Sequence, residues 1–468
     1  MTDKIPVKNI TPNQDTTTSL YAKREKIYTR AFTGIFRNIR IVSGLFLFAL
    51  FLGTAWLQWG DRQAVWWNLP ERKFYIFGAT FWPQDFMLLS WLLIICAFGL
   101  FFITVFAGRV WCGYTCPQSV WTWIFMWCEK VTEGDRNARI KLDKAPMSAN
   151  KLMRKTAKHA MWVSIGAITG FTFVGYFTPI RELPMQLLTG AAGGWAYFWF
   201  GFFTLLTYLN AGFLREQVCV HMCPYSRFQS VMFDKDTLIV SYDPERGEKR
   251  GPRRKGSDYK AEGLGDCIDC KLCVHVCPTG IDIRDGLQIA CIGCAACIDA
   301  CDDVMLKVGY PKGLISYTTE HNLSGQKTKM VRPRLIGYAL ALLVMSSLFG
   351  YTVFNRNLVE LNVIKDRTPY RENQEARIEN VYTIKVMNKD QKDHVFMIEA
   401  SGLKGLTLEG KQHVMAAAGE ILTVPVSISV DPEDLPSSTN KIEFKVHSED
   451  DANITRTAES RFLGPTIR

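Results

Sequence analysis

The residues of this 468-residue chain that could do chemistry are its cysteines, fourteen in all, twelve of them in four short-spaced sets between Cys112 and Cys301. Spacings of two or three residues in a long chain read as metal or redox ligation rather than a disulfide framework. The densest run is Cys267-Ile-Asp-Cys270-Lys-Leu-Cys273-Val-His-Val-Cys277-Pro278, and Cys291, Cys294, Cys297 and Cys301 repeat its spacing. This is the C-x2-C-x2-C-x3-C pattern of bacterial two-cluster ferredoxins, in which the fourth cysteine ligates the other [4Fe–4S] cluster. The expected ligand sets are Cys267, Cys270, Cys273 and Cys301 for cluster one, and Cys291, Cys294, Cys297 and Cys277 for cluster two. Between the motifs, Ile281-Asp-Ile283-Arg alternates and Asp285-Gly286 offers a turn, which suits a short hairpin. Asp302 stands where proline usually follows the second motif, changing a turn and no ligand. Two zinc sites are the competing reading, and the duplicated triplet-plus-one spacing favours clusters. His275 reads as a loop residue.

Two further pairs stand apart. Cys112-Gly-Tyr-Thr-Cys116-Pro117 and Cys219-Val-His-Met-Cys223-Pro224 are both C-x3-C-P, and each follows a long apolar run. Cysteines at i and i+4 share one face of a helix, so two such pairs could converge on a four-sulfur site at a bilayer edge. His221 and the thioether of Met222 add soft ligands that suit copper(I). The plainer alternative is that these thiols pack helix ends. Cys96 and Cys128 lack a partner pattern and read as packing thiols.

Five apolar stretches must position this chemistry: 41–59, 86–107, 160–179, 195–214 and 335–354. Each approaches the roughly 20 residues a membrane span needs, and Trp and Tyr crowd their ends as interfacial anchors do. Mean hydropathy near zero averages these runs with strongly charged segments. Lys and Arg number eight in residues 1–40, ten in 108–158 and eighteen in 215–334, against three in 60–85 and one in 180–194. The positive-inside rule then places the N-terminus and both long loops in the cytoplasm, and residues 355–468 across the membrane. The formal charge of +10 is thus a matter of lipid orientation; no nucleic-acid motif accompanies it. No signal peptide is apparent, because the first apolar run is too long and lacks a cleavage site. No acidic or basic residue sits at mid-span, which argues against an ion pathway. No Walker motif or dinucleotide fingerprint appears either, so directly bound NAD(P)H is not expected.

Beyond a polar connector, Asn355–Thr368, the pattern alternates at Val381–Val386, Val395–Ile398, Ile421–Ile428 and Ile442–Val446, with turn-rich stretches between. Short strands at near-regular spacing indicate an immunoglobulin-like β-sandwich. The expected architecture is a polytopic α-helical membrane protein of five spans, with an inserted two-cluster ferredoxin domain (about 258–305) and a C-terminal β-sandwich at 355–468.

The chain resembles the CcoG family, also called FixG or RdxA, the accessory proteins of cbb3-type cytochrome oxidase. The resemblance runs through both C-x3-C-P motifs, Asp243-Pro-Glu-Arg-Gly247, the paired ferredoxin motifs, Gly313-Leu-Ile-Ser-Tyr317 and the last span followed by a β domain. It implies a bacterial inner-membrane copper(II) reductase that supplies copper(I) for oxidase assembly, with assembly factors or copper carriers as partners. It leaves the electron donor and any homo-oligomer open. The residues alone support equally a redox relay or assembly scaffold that passes electrons to a membrane partner, as in NapH- and NosR-type polyferredoxins.

Overall fold

The computed structural model describes residues 26–253, 258–451 and 453–465; most of the basic N-terminal tail lies outside the described residues. Four described helices are long and apolar enough to cross a membrane: Ile35–Trp56, Pro83–Ala107, Gly194–Leu214 and Pro333–Phe354. Leu45, Phe46, Leu89, Leu93, Trp195 and Leu343 on these helices are each more than half exposed. Such outward apolar faces are stable against lipid and costly against water.

The fifth expected stretch does not join them. Its helix begins at Ala149 and ends at Gly175, and its first turns carry Lys151, Arg154, Lys155 and Lys158. Lys155 and Lys158 both reach the buried Glu133, at 2.9 and 3.0 Å. The charged part is thus tied to protein, and the apolar remainder lies at the short end of the range for a span, roughly 17–25 residues. That remainder packs tightly on the helix Gly194–Leu209. A Cβ on Gly166 or Gly170 would come within 2.9 Å of the Thr204 carbonyl oxygen or 2.7 Å of that of Phe200. Two small residues four apart let the backbones approach, as helix pairs in membranes require.

The helices that carry the cysteine pairs are held by a buried ion cluster. Glu129, on the helix Pro117–Glu133, accepts from Arg139 at 2.5 Å and from Arg215 at 2.7 and 3.2 Å. Arg139 also donates to the Thr29 carbonyl, so three segments distant in sequence meet at one carboxylate. Burial works to raise the pKa of Glu129, and Arg215 and Arg139 overcome it, leaving the carboxyl below its usual range.

The C-terminal domain is a two-sheet antiparallel sandwich. One sheet runs in the order Thr407–Gly410, Ile421–Val430, Ile378–Asn388, Val359–Lys365, with Arg371–Glu372 also paired to the long strand Ile378–Asn388. The other runs His413–Ala416, His394–Ser401, Thr439–Ser448, Thr455–Leu463. Along Thr439–Ser448 exposure alternates residue by residue, and Tyr382, Phe396, Phe444 and Phe462 close the core between the sheets. The connector contains the strand Val359–Lys365, which the sequence reading passed over. A small three-stranded sheet over residues 65–81 meets this domain: Gln391 bonds Thr80 and Arg62, and Lys389 pairs with Asp85 at 3.1 Å and Glu360 at 3.4 Å.

Candidate functional site

The two ferredoxin motifs fold alike. In each, the residues flanking the second cysteine take the left-handed conformation: Asp269 and Lys271 around Cys270 (φ 52° and 53°), Gly293 and Ala295 around Cys294 (φ 64° and 56°). Three of these four are not glycine, so the backbone adopts the conformation against its preference. Left-handed residues are a feature of nests, loops whose backbone N–H groups receive anionic groups such as iron–sulfur clusters, and the Gly293 N–H donates to Cys291 Sγ at 3.5 Å. A short helix, Leu272–His275, follows the first loop, and the helix Ala296–Val308 follows the second.

The eight cysteines line two cavities. Cys267, Cys270, Cys273 and Cys301 surround one, with Met305 and Leu314 in its wall. Cys277, Cys291, Cys294 and Cys297 surround the other, with Ile281 and Ile292, and Cys273 borders it as well. Burial pushes the thiols of Cys273, Cys291 and Cys301 up to about 12 and that of Cys297 well up. Uncomplexed, they are neutral at pH 7; as ligands they must give up their protons. Four sulfurs around each of two walled cavities fit two cubane clusters. Arg284 approaches Cys267 Sγ at 4.0 Å while donating to Asp269 and Asp282, both at 2.6 Å.

The C-x3-C-P pairs do not lie on continuous helices. Cys112 sits in the helical turn Val110–Tyr114, but Cys116 is extended (φ −59°, ψ 127°) and precedes the helix opened by Pro117. Cys219 lies in a wide π-turn, Val218–Met222, and Cys223 is again extended (φ −79°, ψ 112°) before Pro224. Proline excludes the helical conformation from the residue before it, so the shared-face expectation fails at both sites. The thiols are grouped nonetheless: Cys116, Cys112 and Cys223 are near enough to raise the pKa of Cys219, and Cys116 and Cys223 to raise that of Cys112, each after burial. Cys112 Sγ lies 3.5 Å from Gln229 Oε1, on the helix following the second pair. Burial raises Cys112 to about 11 and Cys219 to about 12. His221 and Met222 are exposed, and among the described residues no hydrogen bond joins them to the four thiols. Cys112, Cys116, Cys219 and Cys223 are each partly exposed and so form an open group. Cys128 is fully buried in a packed cluster, whereas Cys96 faces outward.

The second cluster loop rests on the first C-x3-C-P motif. A Cβ on Gly113 would meet Cys294 Cα at 2.9 Å and the Gly293 carbonyl oxygen at 2.9 Å, so only glycine allows this approach. Cys112 packs into the apolar cluster of Ile292, Cys294 and Ala296, and Cys219 shares a small cavity with Thr279 and Ile292. Tyr317 donates to the Gly293 carbonyl at 2.5 Å and lies 3.3 Å from the Tyr114 hydroxyl. Arg109 donates to the carbonyls of Ile289, Cys291 (3.0 Å) and Ser226 (2.7 Å), joining both thiol motifs to the cluster loop. The sequence reading counted Arg109 only as an orienting charge. Its place between an apolar run and a cysteine pair, one turn before Cys112, is the available signal.

A family model for a 4Fe-4S dicluster domain matches residues 214–320, and one for the IG-like fold at the C-terminal of FixG matches residues 349–465. The nitrogen fixation protein FixG of Rhizobium meliloti is 38% identical over 430 residues, covering 83% of this chain and 82% of its own. The chain belongs to the FixG family. Protein RdxA of Cereibacter sphaeroides is 38% identical over 424 residues, covering 87% of this chain and 88% of its own. A crystal structure of a FixG-related protein from Vibrio parahaemolyticus, 32% identical, covers 23% of this chain and 96% of that one with a TM-score of 0.22. This FixG-family chain is an iron–sulfur electron-transfer protein with a 4Fe–4S dicluster domain and apolar helices suited to a membrane.

Proposed function

We propose that this FixG-family protein reduces copper(II) to copper(I) at Cys112, Cys116, Cys219 and Cys223, and passes the product to carriers serving a cbb3-type oxidase. The observation that carries the reading is the direct packing of the first C-x3-C-P motif on the loop of Cys294. Cys267, Cys270, Cys273 and Cys301 would hold one cluster and Cys277, Cys291, Cys294 and Cys297 the other; when bound, these groups supply single electrons at low potential. Copper(II) gains one electron and a one-electron carrier loses one. Thiols favour the softer copper(I) product, and an open group of thiols allows that product to leave.

The test is the double variant C219S/C223S in purified, dithionite-reduced holoprotein. Both clusters should keep their spectra while copper(II)-driven reoxidation is lost. Reoxidation at the wild-type rate would show that the pairs serve packing or another partner. Because Cys112 and Cys219 are neutral at pH 7, copper(I) binding must displace protons. Affinity from chelator competition should therefore rise about tenfold per pH unit for each proton displaced. A pH-independent affinity would exclude these thiols as ligands.

The proposal places the clusters in the cytoplasm and the sandwich outside, with the helix Ala149–Gly175 completing five crossings. Reporter fusions after Lys260 and after Asp390 should then give opposite compartment signals. Matching signals would remove one crossing.

A further inference from the structure

The two cluster cavities differ in the charge around them. Beside the first, the guanidinium of Arg284 is bonded by two carboxylates, Asp282 and Asp269, and Asp302 follows Cys301 directly. Beside the second stands Arg109, buried, with carbonyl oxygens as its hydrogen-bond partners; among the described residues no carboxylate pairs with it. Arg40, also buried, lines a small cavity with Ile292, Cys219 and Glu216. Asp299, the buried acid on the adjoining helix, turns away to the backbone N–H groups of Phe36 and Arg37, at 3.2 and 2.7 Å.

Net charge and hydrogen bonding around a cluster set its reduction potential. An electron added beside a buried, uncompensated cation is stabilised more than one added beside a cation already neutralised. Exposure works in the opposite direction, since Cys270 at the first cavity is exposed and water also stabilises a reduced cluster. Water screens through a high dielectric, whereas Arg109 is fixed against the Cys291 carbonyl in a buried setting, and the fixed charge dominates.

We infer that Arg109 makes the cluster of the second motif the higher-potential member of the pair, so that electrons run from the first cluster to the second and leave beside the four membrane-edge thiols. Arg109 acts as a positioning residue: its fork joins the carbonyls of Cys291 and Ser226, and its charge sets the downhill direction. With clusters held by these cysteines, an electron from a one-electron reductant would pass by way of the first site to the second, and a one-electron acceptor at the thiols would take it up. The inference rests on the proposed cluster ligands but not on copper.

The experiment is an anaerobic redox titration of purified holoprotein without copper, followed by electron paramagnetic resonance. The wild type should show two waves, and C270S, which disables the first cluster, should keep the higher one. R109Q should lower that wave alone, and R109K, which keeps the charge, should leave it near its wild-type position. If R109Q fails to hold its clusters, R40Q removes the other buried arginine near Ile292 and should lower the same wave. Loss of the higher wave in C270S, an equal shift of both waves in R109Q, or no shift in R109Q or R40Q would overturn the inference. Failure of copper turnover in the wild type would leave the titration unaffected.

Discussion

Serine in place of Cys277 will remove or convert the cluster of the second motif and spare that of the first. By sequence Cys277 closes the first motif, yet it lines the cavity of Cys291, Cys294 and Cys297. Its Sγ lies 3.3 Å from Thr279 Oγ1, on the side facing the second loop. Cys301 is the reciprocal case, since it closes the second motif and lines the first cavity. Purified C277S should fall from about eight irons per chain to between about four and seven, according to whether the cluster is lost or converted. Its remaining intact cluster should match the one that survives in C294S. C301S should leave the complementary cluster, the one that survives in C270S. If C277S and C270S disturb the same cluster, each motif holds its own four ligands and the crossed arrangement is wrong.

Glu129→Gln should be the most damaging single substitution outside the cluster ligands. It removes the carboxylate shared by Arg139 and Arg215, at a site where Glu129 is 1% exposed. Leaving buried charges without their partner costs about 3–5 kcal/mol, a large share of the roughly 5–15 kcal/mol that stabilises a typical fold. Thermal unfolding in detergent, followed by loss of cluster absorbance, should shift strongly downward. Replacing Glu129, Arg139 and Arg215 together with apolar residues of similar size should restore much of the loss, because an ion cluster roughly offsets its own desolvation. A Glu129→Gln protein that unfolds like the wild type would mean water reaches this site and screens the arginines.

Motifs whose meaning is local were legible in the sequence, and contacts between distant segments were not. The C-x2-C-x2-C spacing specifies a tight loop whatever surrounds it. The strands at 381–386 and 442–446 announce themselves by alternation, since one side of each packs on Tyr382 or Phe444. Val359–Lys365 alternates too, but Glu360, Asn362 and Lys365 make it polar enough to pass for a connector. Thr455–Leu463 pairs only with Thr439–Ser448, at the margin of its sheet, and so carries few apolar residues. At the thiol pairs, i and i+4 spacing suggested a helix, while the proline after each second cysteine argued against one; local sterics decided it. The approach of Gly113 to Cys294 leaves no trace in either motif, because it joins positions far apart in the chain.

The sandwich is attached at two points rather than one. It continues from the helix ending at Phe354, and Lys389 grips Asp85 at the head of the helix Phe86–Ala107. A single tether would let the domain spin about the helix axis; two define a hinge line and remove that freedom. Because Lys389 is buried at this junction, the grip is not a surface ion pair that salt readily loosens. The sheet containing Thr439–Ser448 is therefore presented at a constant azimuth. Its orientation is inherited from the apolar helices beneath it, as that of a fixed bracket is from its wall.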